Sequence, residues 1–268
     1  MEKETVNDLL RWFSEYVQTF KSTDSEKDKN IVLKEEHTHR VRQEILEIGR
    51  SLDLPEEDLR LAEVLALFHD VGRFPQYARY KTFSDRRSCD HVDLSVKVLL
   101  ENRVLDTLDP SERDLILRTI SYHNRAALPE DELERCLFFS KLLRDADKLD
   151  IWAVLLDYYH QRRRNGARNE ALELDLPDTP GISDGVYQDL MAEEIVKAKN
   201  LSNLNDFKLL QASWIFDINF WPALVAVKDR GYLERIRYVL PNSEKVDGIF
   251  TLLKSRLEER IKAERPLD

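Results

Sequence analysis

Residues 61–75, LAEVLALFHDVGRFP, decide the fold, because an apolar helical run ends there in two side chains that bind metal ions well, His69 and Asp70. Gly72 and Pro75 follow in the order that is typical of a helix C-terminus. A helix that is apolar nearly all round is buried, so both polar side chains should lie at the edge of a core. A buried carboxylate needs a partner, and a metal ion is one. The dipeptide alone, however, is more commonly an ordinary polar pair.

Composition indicates a helical protein that contains one large domain or two small ones. The chain has 268 residues, of which 42% are hydrophobic and 34% charged, with only 7 glycines. A net charge of −10 argues against a surface that binds long nucleic acid, although a local basic site can still hold a phosphate. The two cysteines, Cys89 and Cys136, have no ligand spacing. Because the N-terminus is charged and no apolar run is long enough to span a membrane, a cytoplasmic protein is expected.

Apolar spacing predicts helices along most of the chain. They are expected at residues 5–20, 32–52, 55–70, from 91 onward, and at 110–122, 133–157, 186–199, 207–221, 224–240 and 246–261. Polar or glycine-rich stretches predict loops at residues 21–30, 74–90 and 160–185. The helices after residue 186 are expected to form a layer that packs on the first half, and a homodimer surface is the alternative use of their apolar faces.

The histidines are arranged in a way that packing alone explains poorly. Four of the six fall on apolar helix faces or at buried helix ends: His37, His69, His91 and His123. His39 lies on another face of its helix and is expected at the surface. A lone inward histidine is usually a hydrogen-bonded core residue. Four on successive helices, together with Asp70 and a late aspartate, indicate a shared metal site. Helical periodicity leaves Asp145 and Asp147 both open as that aspartate.

At this point the sequence resembles the HD superfamily of metal-dependent phosphohydrolases, over about residues 31–160. Its motifs occur in the family's order: HTHRV at 37–41, HDVGR at 69–73, the extra histidines His91 and His123, and RDADKL at 144–149. The resemblance implies an all-α, HD-domain helical bundle with a helical C-terminal extension. The expected organisation is a single unit over 1–268, with the HD core at 31–160, a loop or lid at 161–185 and the C-terminal layer at 186–268.

The resemblance also implies a ligand set, in which Asp147 is favoured over Asp145. The first metal would be held by four side chains: His37, His69, Asp70 and Asp147. The second would be held by three: Asp70 as a bridge, His91 and His123. Nitrogen and carboxylate ligands without thiolate suit Fe, Mn, Co, Ni or Zn as one or two divalent ions. Asn124 stands where many two-metal members have a second histidine, which predicts a weaker second metal.

Catalytic and substrate-binding roles follow from the same motifs. Asp70 and Arg73 are expected to be catalytic, with Arg73 binding the substrate phosphate as a planar two-pronged donor. Lys148 and Arg125 are weaker candidates for substrate contacts. No Gly-Tyr-Pro motif follows the His–Asp pair, which counts against the cyclic-di-GMP branch of the family.

The resemblance favours a phosphohydrolase that acts on a small molecule, a nucleotide or related phosphate mono- or diester, through metal-activated water. Two alternatives stay open. One is a di-iron oxygenase of the same family, and the other is a silent module that binds a nucleotide or metal without turnover. Neither a membrane nor a long nucleic acid is expected as a partner. Specificity is expected to come from the segments at residues 74–90 and 160–185.

Overall fold

The chain is helical, as predicted. The computed structural model describes residues 1–22, 25–166, 168–174 and 176–265, and within these ranges it contains no β-strand. The chain divides into two compact units, residues 1–150 and 151–268. Among the described residues, no helix is both long and apolar enough to cross a membrane.

Among its described residues, the first unit contains six whole helices and the start of a seventh. These are α1 (Lys3–Gln18), α2 (Ser25–Ser51), α3 (Glu56–Phe68), α4 (Arg73–Tyr80), α5 (His91–Glu101), α6 (Pro110–Tyr122) and the first half of α7 (Glu134–Asn165). The second unit contains the end of α7 and the remaining helices. These are α8 (Glu170–Glu173), α9 (Asp184–Met191), α10 (Leu204–Ser213), α11 (Trp221–Asp229), α12 (Tyr232–Tyr238) and α13 (Glu244–Ala263).

Helix α3 is the centre of the first unit because most of its surface is apolar and buried. Its sequence from Leu61 to Phe68 has one residue, Glu63, that is not buried. Helices α1, α2 and α6 pack around it, and Trp12 of α1 contacts Phe68 edge to face. Pro55 precedes its first turn. The acidic residues of that turn interact favourably with the positive end of the helix dipole.

A close approach of two backbones joins the end of α3 to the start of α5. Gly72 has right-handed backbone angles, and a Cβ added to it would overlap the carbonyl oxygen of His91 and the amide nitrogen of Ser95. The hydroxyl of Ser95 accepts a hydrogen bond from Gly72 N at 2.9 Å and lies within donating distance of the carbonyl oxygens of His69 and His91. Gly72 is therefore required for packing rather than for a left-handed helix end.

Two segments that were predicted as loops in the first unit are partly helical in the structure. Helix α2 begins at Ser25, so the loop expected at 21–30 is wrong over residues 25–30, while residues 23–24 of it lie outside the described residues; Lys and Glu in this segment are good helix formers. The loop expected at 74–90 contains α4 and a short 3₁₀ turn at Asp85–Arg87. Helix α4 was missed because it is short and because Pro75, which lies in its first turn, was interpreted as the end of a helix.

In the second unit the predicted helices differ from the structure mainly at their ends. The loop expected at 160–185 begins later, because α7 continues to Asn165, and it contains the short α8; residues 167 and 175 of it lie outside the described residues. Helix α9 ends at Met191, well before residue 199, and Glu193 follows it with a φ of 62°. The single helix expected at 224–240 is divided into α11 and α12 by Gly231, whose φ of 61° is left-handed. The helix expected at 207–221 ends at Ser213 with α10 and continues only as a 3₁₀ turn at Trp214–Asp217, before α11 begins at Trp221.

We predict that Gly72→Ala destabilises the protein by about 1–3 kcal/mol, the usual cost of overpacking, because backbone rather than a flexible side chain blocks the new methyl group. Urea unfolding monitored by circular dichroism measures this change. Gly248→Ala is the matched control, since nothing lies within 4 Å of the added Cβ. In helix α13 the control is expected to stabilise by about 0.5–1 kcal/mol. Equal unfolding midpoints for the two variants would contradict the close approach.

Candidate metal centre

Five helices bring the predicted ligands together in the first unit. His69 and His123 are the C-cap residues directly after α3 and α6, and His91 is the first residue of α5. His37 lies within α2 and Asp147 within α7. Helix ends therefore supply three of the four histidines. The four histidine side chains and Asp70 are buried.

The carboxylate of Asp70 lies between two pairs of histidines and defines two half-sites. The first half-site contains His37 and His69, whose Nε2 atoms are 3.3 Å apart and lie 3.5 and 3.7 Å from Asp70 Oδ2. Asp147 belongs to this half-site, because its Oδ1 is 3.2 Å from His37 Nε2 and 3.6 Å from His69 Nε2.

The second half-site faces the other oxygen of the same carboxylate. It contains His91 and His123, whose Nε2 atoms are 3.1 Å apart and lie 3.4 and 3.7 Å from Asp70 Oδ1. The two oxygens of one side chain thus face two different donor sets, as the bridging role predicted for Asp70 requires.

All four rings are held at Nδ1, so that Nε2 points into the centre. His69 Nδ1 donates to the carbonyl oxygen of Ala66 and His123 Nδ1 to that of Ile120, both at 2.8 Å. Each of these carbonyls belongs to the residue three positions before the histidine, in the last turn of the preceding helix. A carbonyl can only accept, so each contact requires a proton on Nδ1 and, in the neutral ring, leaves Nε2 free to bind a metal.

The other two histidines are held by carboxylates that the sequence analysis missed. His37 Nδ1 lies 2.6 Å from Asp150 Oδ2, and His91 Nδ1 lies 2.5 Å from Asp85 Oδ2. Asp150 lies three residues after Asp147 on α7, on the same helix face, which was an available signal. Asp85 lies in the 3₁₀ turn before α5, where no periodicity could have identified it.

A lysine that the sequence analysis also missed contacts the bridging carboxylate. Lys34 Nζ donates to Asp70 Oδ2 at 2.6 Å, and its side chain is 14% exposed. Lys34 lies one helical turn before His37 on α2, so the helical period could have predicted that it lies near the metal centre.

Electrostatics differ between the half-sites. Burial and the charge of Lys34 lower the pKa of His37, but the carboxylates of Asp147, Asp150 and Asp70 outweigh them and raise that pKa to about 10. Burial likewise works to raise the pKa of Asp70, yet the nearby positive charges, Lys34 foremost, hold it well below its usual value. The surroundings of His37 therefore favour a positive charge at the first half-site, although Arg40 also contacts Asp150 there.

The surroundings of the second half-site disfavour a positive charge on its histidine. Burial, and then the charge of Arg73, lower the pKa of His91 to about 4. Burial opposes the ionisation of Asp85, but its contact with His91 and the charge of Arg73 lower the pKa of this carboxyl to about 2. A neutral imidazole needs no deprotonation before it binds a metal, whereas the nearby arginine disfavours a second cation.

The donor atoms have the spacing of ligands around one ion. Two donors that each bind a metal at about 2.1 Å lie about 3.0 Å apart at an octahedral angle and about 3.4 Å apart at a tetrahedral one. Within each half-site the separations given above, from 3.1 to 3.7 Å, fall close to these values. Asp147 Oδ1 is buried, and its ion-pair contacts among the described residues are with the Nε2 atoms of His37 and His69, so it faces the same point as the other donors of the first half-site. The residues present fit a divalent metal at either half-site.

The other predicted site residues lie in different surroundings. Arg73 Nε lies 3.4 Å from Asp70 Oδ1, while its Nη1 donates to Gln76, to the carbonyl of Phe83 and to Asp85. Lys148 is buried on α7. Arg125 is exposed, with its guanidinium 4.8 Å from the centre of the Tyr122 ring. The roles of these three residues in substrate binding stay predictions. His39 is exposed, as expected.

Comparison with protein families gives one finding. The model of the family described as HD domain matches residues 35–160, a segment that contains both half-sites and the Nδ1 partners. Comparisons with curated proteins and with solved structures give no match.

We predict that Asp150→Asn weakens metal binding about 10- to 100-fold, because the amide loses the charge that holds His37 in place. Competition of the protein with a chelating dye for Mn²⁺ measures the affinity. Asp157→Asn is the matched control, since Asp157 lies on the same helix but is exposed and pairs with Arg235. The same affinity in both variants would show that Asp150 does not support a metal ligand.

Proposed function

Residues 35–160 of this chain are an HD domain, and from that premise we propose that the protein is a metal-dependent phosphohydrolase. Its substrate would be a nucleotide or a related small phosphate mono- or diester. The family match supports the general class of metal-dependent hydrolases, and the finer assignment depends on the geometry of the metal centre.

One observation carries the proposal: a single carboxylate, Asp70, faces the Nε2 atoms of His37 and His69 with one oxygen and those of His91 and His123 with the other. Adjacent half-sites that share a carboxylate suit two metal ions about 3.5–4 Å apart, the spacing used in phosphoryl chemistry. Ions bound there would supply an activated water and a Lewis acid for the phosphoryl oxygens.

The chain's own residues would prepare the site for that reaction. Asp150 and Asp85 keep two of the imidazole rings oriented, and backbone carbonyls keep the other two. The charge of Arg73 lies beside the second half-site, and its Nη1 contacts with Gln76 and Asp85 fix its position. A guanidinium held in this way can bind an anionic oxygen without losing side-chain entropy. We therefore retain Arg73 as the proposed phosphate contact.

The proposal is tested by the products of turnover. Purified protein loaded with Mn²⁺ is incubated with panels of phosphate monoesters and diesters in water enriched in ¹⁸O. We expect hydrolysis with the label in the released phosphate or phosphomonoester, and the same rate with and without dioxygen. Turnover that requires dioxygen would favour the oxygenase alternative. The absence of any turnover in the metal-loaded protein would favour a silent module.

We also predict that Asp70→Ala lowers the bound metal from two equivalents to none, whereas His91→Ala keeps the first equivalent and loses the second. The reason is that Asp70 serves both half-sites and His91 serves one. Equilibrium dialysis against excess Mn²⁺, which retains a weakly bound ion, followed by elemental analysis counts the metal. His39→Gln, on the exposed face of α2, is the control and should keep both. An unchanged count in Asp70→Ala would contradict the shared carboxylate.

A further inference from the structure

Lys34 contacts the metal centre but has no role in the reaction proposed above. Its ammonium donates at 2.6 Å to Asp70 Oδ2, the oxygen that faces His37 and His69. It also lies 5.6 Å from the centre of the Phe83 ring, whose face attracts a cation. The side chain therefore extends from α2 to the first half-site, with its ammonium close to the Phe83 ring.

A cation at this place affects any other cation that binds there. An ammonium that donates a hydrogen bond to Oδ2 and a metal ion that is coordinated by Oδ2 are both positive, and they repel each other at short range. Binding of a metal by Oδ2 thus weakens the contact of Lys34 with Asp70. Among the described residues, Asp70 is the one acceptor that the ammonium contacts, so no second hydrogen bond holds it in place.

Lysine has the properties of a group that can change partners. Its ammonium has three donors on a flexible four-carbon chain, and the side chain is partly exposed, so it can move by a few ångströms and stay at the site. Arg73 differs, because its Nη1 is held by three acceptors. Of the lysine and arginine side chains that contact Asp70 among the described residues, Arg73 is therefore fixed and Lys34 can move.

This inference rests on the proposed function: we propose that Lys34 binds two partners in alternation. It competes with the first metal for Asp70 Oδ2, and when the metal holds that oxygen, the ammonium turns to an anionic phosphoryl group bound at the centre. Lys34 would thereby couple metal binding to phosphate binding, because the metal frees the cation that the phosphate uses.

The test measures binding of Mn²⁺ and of inorganic phosphate by isothermal titration calorimetry with the full chain. Lys34→Met removes the charge and keeps the length of the side chain. We expect it to bind the first Mn²⁺ at least about 10-fold more tightly and, once loaded with Mn²⁺, to bind phosphate at least about 10-fold more weakly. These factors are the lower end of the range for charge-assisted contacts. Lys34→Arg keeps the charge and should lie near the wild type in both titrations.

Lys29→Met is the matched control, because Lys29 is exposed on the same helix; it should change neither affinity. The proposal requires both effects in Lys34→Met, so an unchanged affinity for either Mn²⁺ or phosphate overturns it. That result would leave the phosphohydrolase assignment intact if the wild type binds Mn²⁺ and hydrolyses a phosphate ester. A wild type that binds no Mn²⁺ would overturn the assignment and this inference together.

Discussion

Two histidine pairs share one buried carboxylate, that of Asp70, and the arrangement of the first unit depends on this contact. A carboxylate removed from water needs positive charge or a metal close to both oxygens. His37 and His69 face one oxygen and His91 and His123 the other, at 3.4–3.7 Å. The ends of α3, α5 and α6 must therefore meet at one point. Gly72 permits this by letting the backbone after α3 contact the start of α5.

The two half-sites differ in how well their surroundings accommodate a positive charge. Asp147 and Asp150 lie at the first, where the pKa of His37 is raised, and Arg73 lies near the second, where the pKa of His91 is lowered. A first metal is therefore expected at the half-site of His37, whose surroundings favour a cation, and a weaker one at the half-site of His91. This agrees with the expectation drawn from Asn124 in the sequence.

Much of the centre could be predicted because ligand positions follow the helical period and short motifs. The six side chains predicted to bind metal all lie at the two half-sites: His37, His69, Asp70, His91, His123 and Asp147. Lys34 and Asp150 obey the same period, one turn from a predicted ligand, and could have been found. Asp85 could not, because a 3₁₀ turn places it and no repeat marks such a turn. The hydrogen bond that Ser95 accepts from Gly72 N is likewise a tertiary contact that no local pattern encodes.

The most direct test of the shared carboxylate is anomalous X-ray diffraction from crystals of the protein grown with Mn²⁺. We predict two anomalous peaks about 3.5–4 Å apart, one on the side of Asp70 Oδ2 and the other on the side of Oδ1. The stronger peak should lie beside His37, His69 and Asp147. A single peak bound by both oxygens of Asp70, or peaks that do not contact Asp70 at all, would contradict the account.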